Sequence, residues 1–217
     1  MKFIAIFSFL LTACSLNRNI SFLTLDTDFS KGRLIKKHKI SLKDIEKFHG
    51  HLCDGLVVGT MAMKAALNQL YSGELIDRTS LRVVSKSSPC LTDVAIYLTG
   101  GRYQFNTFYV DNNIDGLFLI QRIDNQKAVL VSLKNGIKPK IIDSLGNLAI
   151  QQKLLPCELD YLKQLEDNFT KQLLKSDINN IFDVKFIDNF VWQPKTKNDY
   201  IKTDILNKHL PKCNQCK

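Results

Sequence analysis

The chain has 217 residues, a formal net charge of +9 and six cysteines. This length suits one domain with a core of ordinary size. The basic residues are scattered and not interleaved with aromatic ones, which argues against a nucleic-acid-binding protein. The densest basic cluster is Lys36-Lys37-His38-Lys39. We interpret it as part of a solvated segment rather than as a site for anionic lipid headgroups.

The first 13 residues are typical of a bacterial lipoprotein signal peptide. A short basic start precedes the apolar run from Phe3 to Leu11, which is too short to span a bilayer as a helix. The sequence Leu11-Thr12-Ala13-Cys14 then matches the site at which signal peptidase cuts before an acylated cysteine. We therefore expect Cys14 to anchor the protein in a membrane on the periplasmic side. Because Ser15 rather than aspartate follows, the outer membrane is favoured. An ordinary signal peptide or a buried strand is the alternative.

The rest of the chain divides into three predicted regions. Residues 14–40 are predicted to be a polar tether, residues 41–195 a folded domain, and residues 196–217 a tail. Within the domain, Ser41 and Asp44 form the pattern of a helix N-terminus. A short predicted helix opens at residue 42 and is followed by a loop at 49–54. The other predicted helices are 56–71, about 90–98, 143–153 and 158–174.

Predicted strands complete the domain. Three segments rich in aromatic and β-branched residues follow one another and are separated by short polar turns. The predicted strands are 81–84, 103–110, 117–123, 128–133 and 181–192. The three consecutive strands predict an antiparallel β-meander. Helices packed with such a sheet make an α+β fold.

A cluster of metal-ligand residues stands at the start of the second helix. His49, His51 and Cys53 fall within five residues, and imidazole nitrogen and thiolate sulfur are ligands that zinc and similar divalent transition metals prefer. Cys90 follows Pro89 at another helix start, where the helix dipole stabilises a thiolate. His51, Cys53 and Cys90 would give three ligands and one open position. His49 would be either the fourth ligand or a residue that contacts the ligating side chains without touching the metal.

Two acids near this cluster are candidates for supporting roles. Asp93, one turn after Cys90, could orient a ligating imidazole. Asp54 could do the same or act as a base on a metal-bound water. The competing interpretation of Cys53 and Cys90 is a disulfide bond, which an oxidising compartment would favour.

The remaining cysteines are interpreted separately. Cys157 is predicted to be a small buried residue in the first turn of a helix. Cys213 and Cys216, with His209 as a further ligand, could bind a second metal. They could also form a disulfide bond or belong to an inert terminus.

Two motifs resemble those of the E-subunit family of formylmethanofuran dehydrogenase. The first is Phe48-His49-Gly50-His51-Leu52-Cys53-Asp54-Gly55, continuing to Gly59, where the family usually has proline in place of Asp54. The second runs from Cys90 to Gly101, with the family's glutamine absent and Gly101 in place of a cysteine. The resemblance covers about residues 41–133. It implies an α+β domain, often a homodimer, that binds zinc or a similar metal through the His/Cys motif. It also implies a C-terminal zinc finger with four cysteines, of which this chain has one pair.

Three function classes remain open on the sequence. The first is a lipid-anchored protein of the cell envelope that binds or delivers metal or a metal-bound small molecule. The second is a metal-dependent enzyme that acts on a small substrate through an open coordination position. The third is an accessory subunit with a structural zinc. The first is favoured because no second cluster of catalytic acids or bases stands out in the sequence.

Overall fold

The computed structural model describes residues 20–195 and 200–213. The predicted signal peptide, the lipidation site Cys14 and the tail residue Cys216 lie outside this part of the chain. The strands are β1 Ser21–Thr27, β2 Leu34–Ser41, β3 Ile76–Asp77, β4 Leu81–Ser85, β5 Phe108–Val110, β6 Phe118–Arg122, β7 Ala128–Leu133 and β8 Phe182–Ile187. The helices are α1 Leu42–His49, α2 Asp54–Tyr71, α3 Pro89–Thr99, α4 Lys140–Ile150, α5 Pro156–Leu173 and α6 Ile178–Ile181. The fold is α+β, as the sequence predicted.

The strands form two sheets of mixed direction. The smaller sheet has the order β2-β1-β3, in which β1 is antiparallel to β2 and parallel to β3. The larger sheet has the order β5-β4-β6-β7-β8, in which only the β4–β5 pair is parallel. Both sheets contribute side chains to one continuous apolar core.

Helix α2 lies at the centre of this core. It contacts the larger sheet as well as α3 and α5, and nearly all of its side chains are buried. From Leu56 to Leu70 the helix is apolar around most of its circumference. Such a helix must be covered by other elements on several sides. Its first residue, Asp54, directly follows Cys53. The central helix therefore fixes the position of the His/Cys cluster relative to the core.

The predicted tether is wrong over most of its length, because residues 21–27 and 34–41 form the hairpin of β1 and β2. In β1 the side chains of Phe22 and Thr24 are buried, whereas Leu23 between them is exposed. This is the period-two pattern of a strand with one buried face. The polar residues within β1 and the lysine-rich β2 made the segment look like a solvated linker.

The predicted meander is also wrong in its first strand. Residues 103–105 form a short 3-10 turn, and Asn106 has a positive φ of 51°, which ends the turn before β5 begins. Only Phe108–Val110 is extended, and it pairs with β4 in parallel rather than with β6. The aromatic composition predicted a long strand, but the left-handed residue at 106 interrupts it.

The C-terminal segment is attached to the β1–β2 hairpin rather than separate from the domain. The backbone carbonyls of Asp204 and Lys208 accept hydrogen bonds from the N–H groups of Lys31 and Leu34, both at 3.0 Å. The Lys208 ammonium lies 3.2 Å from Asp77 Oδ2. Residues 204–208 thus cover the hairpin end of the smaller sheet. Within the described residues, no helix is both long and apolar enough to cross a membrane.

Candidate metal centre

Three chain segments bring the candidate ligands together. His49 is the last residue of α1, Cys53 is the N-cap residue of α2, and Cys90 lies in the first turn of α3. The ends of three helices thus meet at one place, as the sequence predicted for Cys53 and Cys90. The local chemistry of each end explains how the side chains converge.

Helix α1 begins and ends at defined residues. Ser41 accepts a hydrogen bond from the Asp44 N–H, and the Asp44 carboxylate accepts one from the Ser41 N–H at 2.9 Å. At the other end Gly50 has a φ of 101°, a conformation that glycine adopts without strain. The chain reverses there. This reversal directs residues 51–53 back toward His49.

The two cysteines occupy helix starts that approach each other closely. Cys53 Sγ accepts a hydrogen bond from the Leu56 N–H at 3.3 Å, while Pro89 and the Ser88 cap set the start of α3. A Cβ atom added to Gly55 would lie 2.9 Å from Cys90 Sγ. The absence of a side chain at Gly55 therefore leaves the space that the Cys90 sulfur occupies.

Three potential ligand atoms form a nearly equilateral triangle. Cys53 Sγ lies 3.4 Å from Cys90 Sγ, and His49 Nε2 lies 3.8 Å from Cys53 Sγ and 3.7 Å from Cys90 Sγ. For tetrahedral zinc with bonds of about 2.3 Å to sulfur and 2.0–2.1 Å to nitrogen, neighbouring ligand atoms are about 3.5–3.8 Å apart. The triangle thus has the size of one face of a tetrahedral zinc site.

The imidazole of His49 is held by a carboxylate. Its Nδ1 lies 2.7 Å from Asp93 Oδ2, and its side chain is only 6% exposed. A carboxylate on one ring nitrogen leaves the other nitrogen free to face a metal. Asp93 thus contacts an imidazole, as an orienting role would require, and the role itself stays a prediction.

His51 lies at the solvent side of the cluster. It is exposed, and its ring centroid is 4.6 Å from that of His49. One ligand atom each of His49, His51 and Cys53 can be chosen so that all three lie within 4.8 Å of one another. The residues therefore form a cluster that could hold a metal ion. His49 Nε2 completes the triangle with the two sulfurs, and the exposed His51 ring lies beside that of His49. The sequence, by contrast, favoured His51 in the three-ligand set.

The two thiols share a hydrogen bond that shifts their pKa values in opposite directions. Donation from Cys53 lowers the pKa of Cys90 to about 6, despite the burial of Cys90, and nearby His49 adds to this shift. The same interaction, together with burial, raises the pKa of Cys53. The pair therefore holds one thiolate readily, and a cation would be needed to stabilise a second. Cys53 and Cys90 are thiols here and not a disulfide.

The comparison with known proteins gives the family. A model described as "FmdE, Molybdenum formylmethanofuran dehydrogenase operon" matches residues 48–183, which include all four candidate ligands. The chain belongs to the FmdE family.

Two further comparisons accompany this family match. The crystal structure of a tungsten formylmethanofuran dehydrogenase FmdE-like protein from Syntrophus aciditrophicus is similar, with 17% sequence identity and a TM-score of 0.42. The match covers 68% of this chain and 72% of that chain. No curated protein matches the sequence.

In this FmdE-family chain a second group of charged residues lies beside the cysteines. Asp54 is buried, and its Oδ2 lies 3.3 Å from Lys138 Nζ, which also lies 3.0 Å from Asp143 Oδ1. Asp54 Oδ2 has no hydrogen bond of good geometry. Burial works against the charge of Lys138, but Asp54 and Asp143 raise its pKa overall. Asp54 is therefore held beside the Lys138 cation.

Glu166 of α5 belongs to the same surroundings. Burial raises the pKa of Glu166, and the negative charges of Asp54 and Cys90 add to this shift, while Lys138 opposes it. The site residues predicted from the sequence do not include Lys138 or Glu166. For Glu166 a signal existed, since it is four residues after Leu162 and three before Phe169, on the buried stripe of α5. Lys138 lies in a loop before Pro139 and carries no comparable signal.

The other predicted cysteine sites are placed differently. Cys157 is exposed in the first turn of α5, so the prediction that it is buried is wrong. Leu162 one turn further on carries the buried face of the helix instead. His209 and Cys213 are exposed on the C-terminal segment, and Cys216 lies outside the described residues. A second metal site in the tail stays a prediction.

Proposed function

We propose that this FmdE-family protein binds one divalent transition metal, zinc by ligand type, through His49, Cys53 and Cys90. The triangle of His49 Nε2 and the two sulfur atoms, with edges of 3.4–3.8 Å, is the observation that carries the proposal. Asp93 orients the imidazole, and the N–H of Leu56 supports the Cys53 sulfur. Two sulfurs and one nitrogen suit a borderline-soft cation better than Mg²⁺ or Ca²⁺.

A metal held by His49, Cys53 and Cys90 would have a fourth coordination position, and the exposed His51 lies near the cluster. A closed site of four protein ligands would be structural, whereas three protein ligands and an exchangeable ligand make a site that binds or delivers something. His51 is exposed and so is free to move toward or away from the metal. We propose that the position is open to a small molecule, and that the protein binds or delivers metal or a metal-bound ligand.

We propose further that the protein works at the cell envelope through a lipid on Cys14. The support is the sequence Leu11-Thr12-Ala13-Cys14 after a short apolar run. Mass spectrometry of the N-terminal peptide from cells tests this. Acylated Cys14 as the first residue is expected, and an unmodified Cys14 in an intact chain would contradict it.

A second candidate function is a metal-dependent enzyme, favoured by the ion pair of Asp54 and Lys138. Asp54 directly follows the proposed ligand Cys53. The charges of both Asp54 and Cys90 contribute to raising the pKa of Glu166. Acidic and basic groups near a metal-bound water are what proton transfer requires. The pair also has a structural use, because it neutralises a buried carboxylate at the start of α2.

The decisive experiment measures metal content and coordination. The chain from residue 14 with Cys14→Ser, purified under reducing conditions, is analysed for metal beside Cys53→Ser and the control Cys157→Ser. Cys157 is an exposed thiol on a separate helix. Stoichiometric metal in the parent and in the Cys157 variant, but not in the Cys53 variant, is expected. A metal-free parent with Cys53 and Cys90 linked as a disulfide would overturn the proposal.

Cobalt substitution then separates an open site from a closed one. With Co²⁺ in the site, added azide should change the visible absorption spectrum of the parent protein, because an exchangeable ligand is replaced. His51→Ala should keep its metal. If azide has no effect and His51→Ala loses the metal, His51 is a fourth ligand, and the site is structural.

A further inference from the structure

An exposed face of the smaller sheet combines apolar and basic side chains. Alternation along β1 puts Leu23 and Leu25 on the side opposite the buried Phe22 and Thr24. Leu23 pairs with Lys39, and Leu25 pairs with Lys37, so these two lysines lie on the same side of the sheet as the two leucines. Leu23 is 58% exposed although it stands in a regular strand.

More exposed apolar residues lie on the same hairpin and on the segment bonded to it. Ile35 at the start of β2 is exposed, and Phe29 in the hairpin turn is 63% exposed. The C-terminal segment that is hydrogen-bonded to the hairpin adds exposed Leu206 and Leu210. Single exposed apolar residues are common on protein surfaces, but several on one hairpin and its attached segment form a patch that indicates an interaction. We call Leu23, Leu25, Ile35, Lys37 and Lys39, with Phe29 in the adjoining turn, the outer face.

The charge of the outer face is positive and not compensated. Within the described part of the chain neither Lys37 nor Lys39 makes a salt bridge, and both are exposed. Asp77, the acid nearest to this side on β3, is already paired with Lys208. Lysines on an edge strand also oppose pairing with strands of other molecules. Protection of the edge strand explains the presence of the lysines, but it does not explain why Leu23 and Phe29 are exposed near them.

The start of β1 lies close to the proposed lipid anchor. Six peptide links separate Cys14 from Ile20, so the hairpin begins within about 22 Å of Cys14 even if those links were fully extended. An anchored protein would therefore keep the small sheet near the bilayer. Apolar side chains flanked by lysines are the composition of surfaces that lie at the interface of an anionic membrane.

We infer that the outer face rests on an anionic bilayer surface, with Leu23 and Phe29 among the headgroups and Lys37 and Lys39 against their phosphates. The inference builds on the proposed lipid anchor, but the surface binds lipid by its own chemistry. The acyl chains would hold the protein at the membrane, and the outer face would fix its orientation there.

The test removes the anchor and asks whether the surface still binds. The chain from residue 14 with Cys14→Ser, which contains every described element, is sedimented with vesicles of phosphatidylcholine mixed with phosphatidylglycerol and with vesicles of phosphatidylcholine alone. Binding to the mixed vesicles, weakened by salt, is expected. Replacing Lys37 and Lys39 by Gln should weaken partitioning about fivefold per lysine removed.

A matched double variant and an apolar variant make the test specific. Lys127→Gln with Lys185→Gln removes the same charge from the β6–β7 turn and from β8, where both lysines are exposed, and should bind as the parent does. Leu23→Asn should weaken binding while both lysines remain. Absence of binding to anionic vesicles, or an equal loss in both double variants, would overturn the inference.

Two further measurements distinguish membrane binding from dimerisation and from damage to the metal centre. If Leu23→Asn converts a dimer into a monomer and vesicle binding is unaffected, the outer face is a subunit interface and the inference is wrong. Metal content measured in the same samples reports on the metal centre independently. Failure of lipid binding with metal retained would therefore leave the proposed metal site standing.

Discussion

Asp93 Oδ2 lies 2.7 Å from His49 Nδ1, which joins the second turn of α3 to the last residue of α1. The contact fixes the ring so that Nε2 faces the two sulfur atoms at 3.7 and 3.8 Å. It also determines which nitrogen is available, since the carboxylate accepts from an N–H on Nδ1. The metal affinity should therefore depend on a residue that does not itself touch the metal.

Replacing Asp93 by Asn should lower zinc affinity about 10–100-fold, the usual effect of losing such a carboxylate. The amide keeps the size of the side chain but not its charge. Competition with a chelator of known affinity gives the dissociation constant. Asp160→Asn, an exposed residue on α5, is the control and should bind zinc as the parent does. Unchanged affinity in Asp93→Asn would show that the Asp93 charge does not support metal binding by His49.

Gly55→Ala should disturb the sulfur pair specifically. The added methyl group would lie 2.9 Å from Cys90 Sγ, so the start of α3 must shift away from that of α2. We expect weaker metal binding together with a loss of stability of about 1–3 kcal/mol, the usual range for overpacking. Chelator competition and urea unfolding measure the two effects.

Gly146→Ala provides the matched control for that substitution. Gly146 lies within α4, and a Cβ atom there would have no neighbour within 4 Å. Alanine should therefore stabilise the chain by about 0.5–1 kcal/mol through the helix backbone, with no change in metal binding. If Gly55→Ala behaved like Gly146→Ala, the close approach of the two helix starts would have no role in the site.

Metal should stabilise the fold only when the sulfur pair is intact. A ligand that binds only the native state adds about 2.7 kcal/mol to the free energy of unfolding when its free concentration is one hundred times its dissociation constant. Thermal unfolding with and without added Zn²⁺ should show this gain in the parent and lose it in Cys90→Ser. Cys157→Ser should keep the gain. A parent whose melting temperature does not respond to Zn²⁺ would argue against a native metal site.

Local features of the sequence were easier to predict than the sheets, for a physical reason. Caps, helix periodicity and ligand types are local, so Ser41, the apolar residues of α2 and the His49–Cys53 motif could be recognised from neighbouring residues. The parallel pairing of β5 with β4 depends on contacts between distant segments. Lys138 and Glu166 approach Asp54 only through the tertiary fold, and the choice between His49 and His51 required the turn at Gly50.

The capping box of α1 should make stability depend on pH through Asp44. Hydrogen bonds from the Ser41 side chain and backbone lower the pKa of Asp44 below 3.8. A lowered folded-state pKa means that this stabilisation is complete above the unfolded pKa, about 3.8, and is lost as the pH falls through the folded value. Asp44→Asn should therefore cost about 0.3–1 kcal/mol at neutral pH, the usual effect of a negative charge near a helix N-terminus.

That cost should shrink when the pH is lowered below about 3.8, because the parent carboxyl then also becomes neutral. Urea unfolding of the metal-free chain at neutral and at acidic pH gives the two differences, and use of the metal-free chain removes the effect of pH on ligand binding. Asp160→Asn should change stability little at either pH. A cost for Asp44→Asn that is the same at both pH values would mean that the Asp44 charge does not stabilise α1, the helix that carries His49.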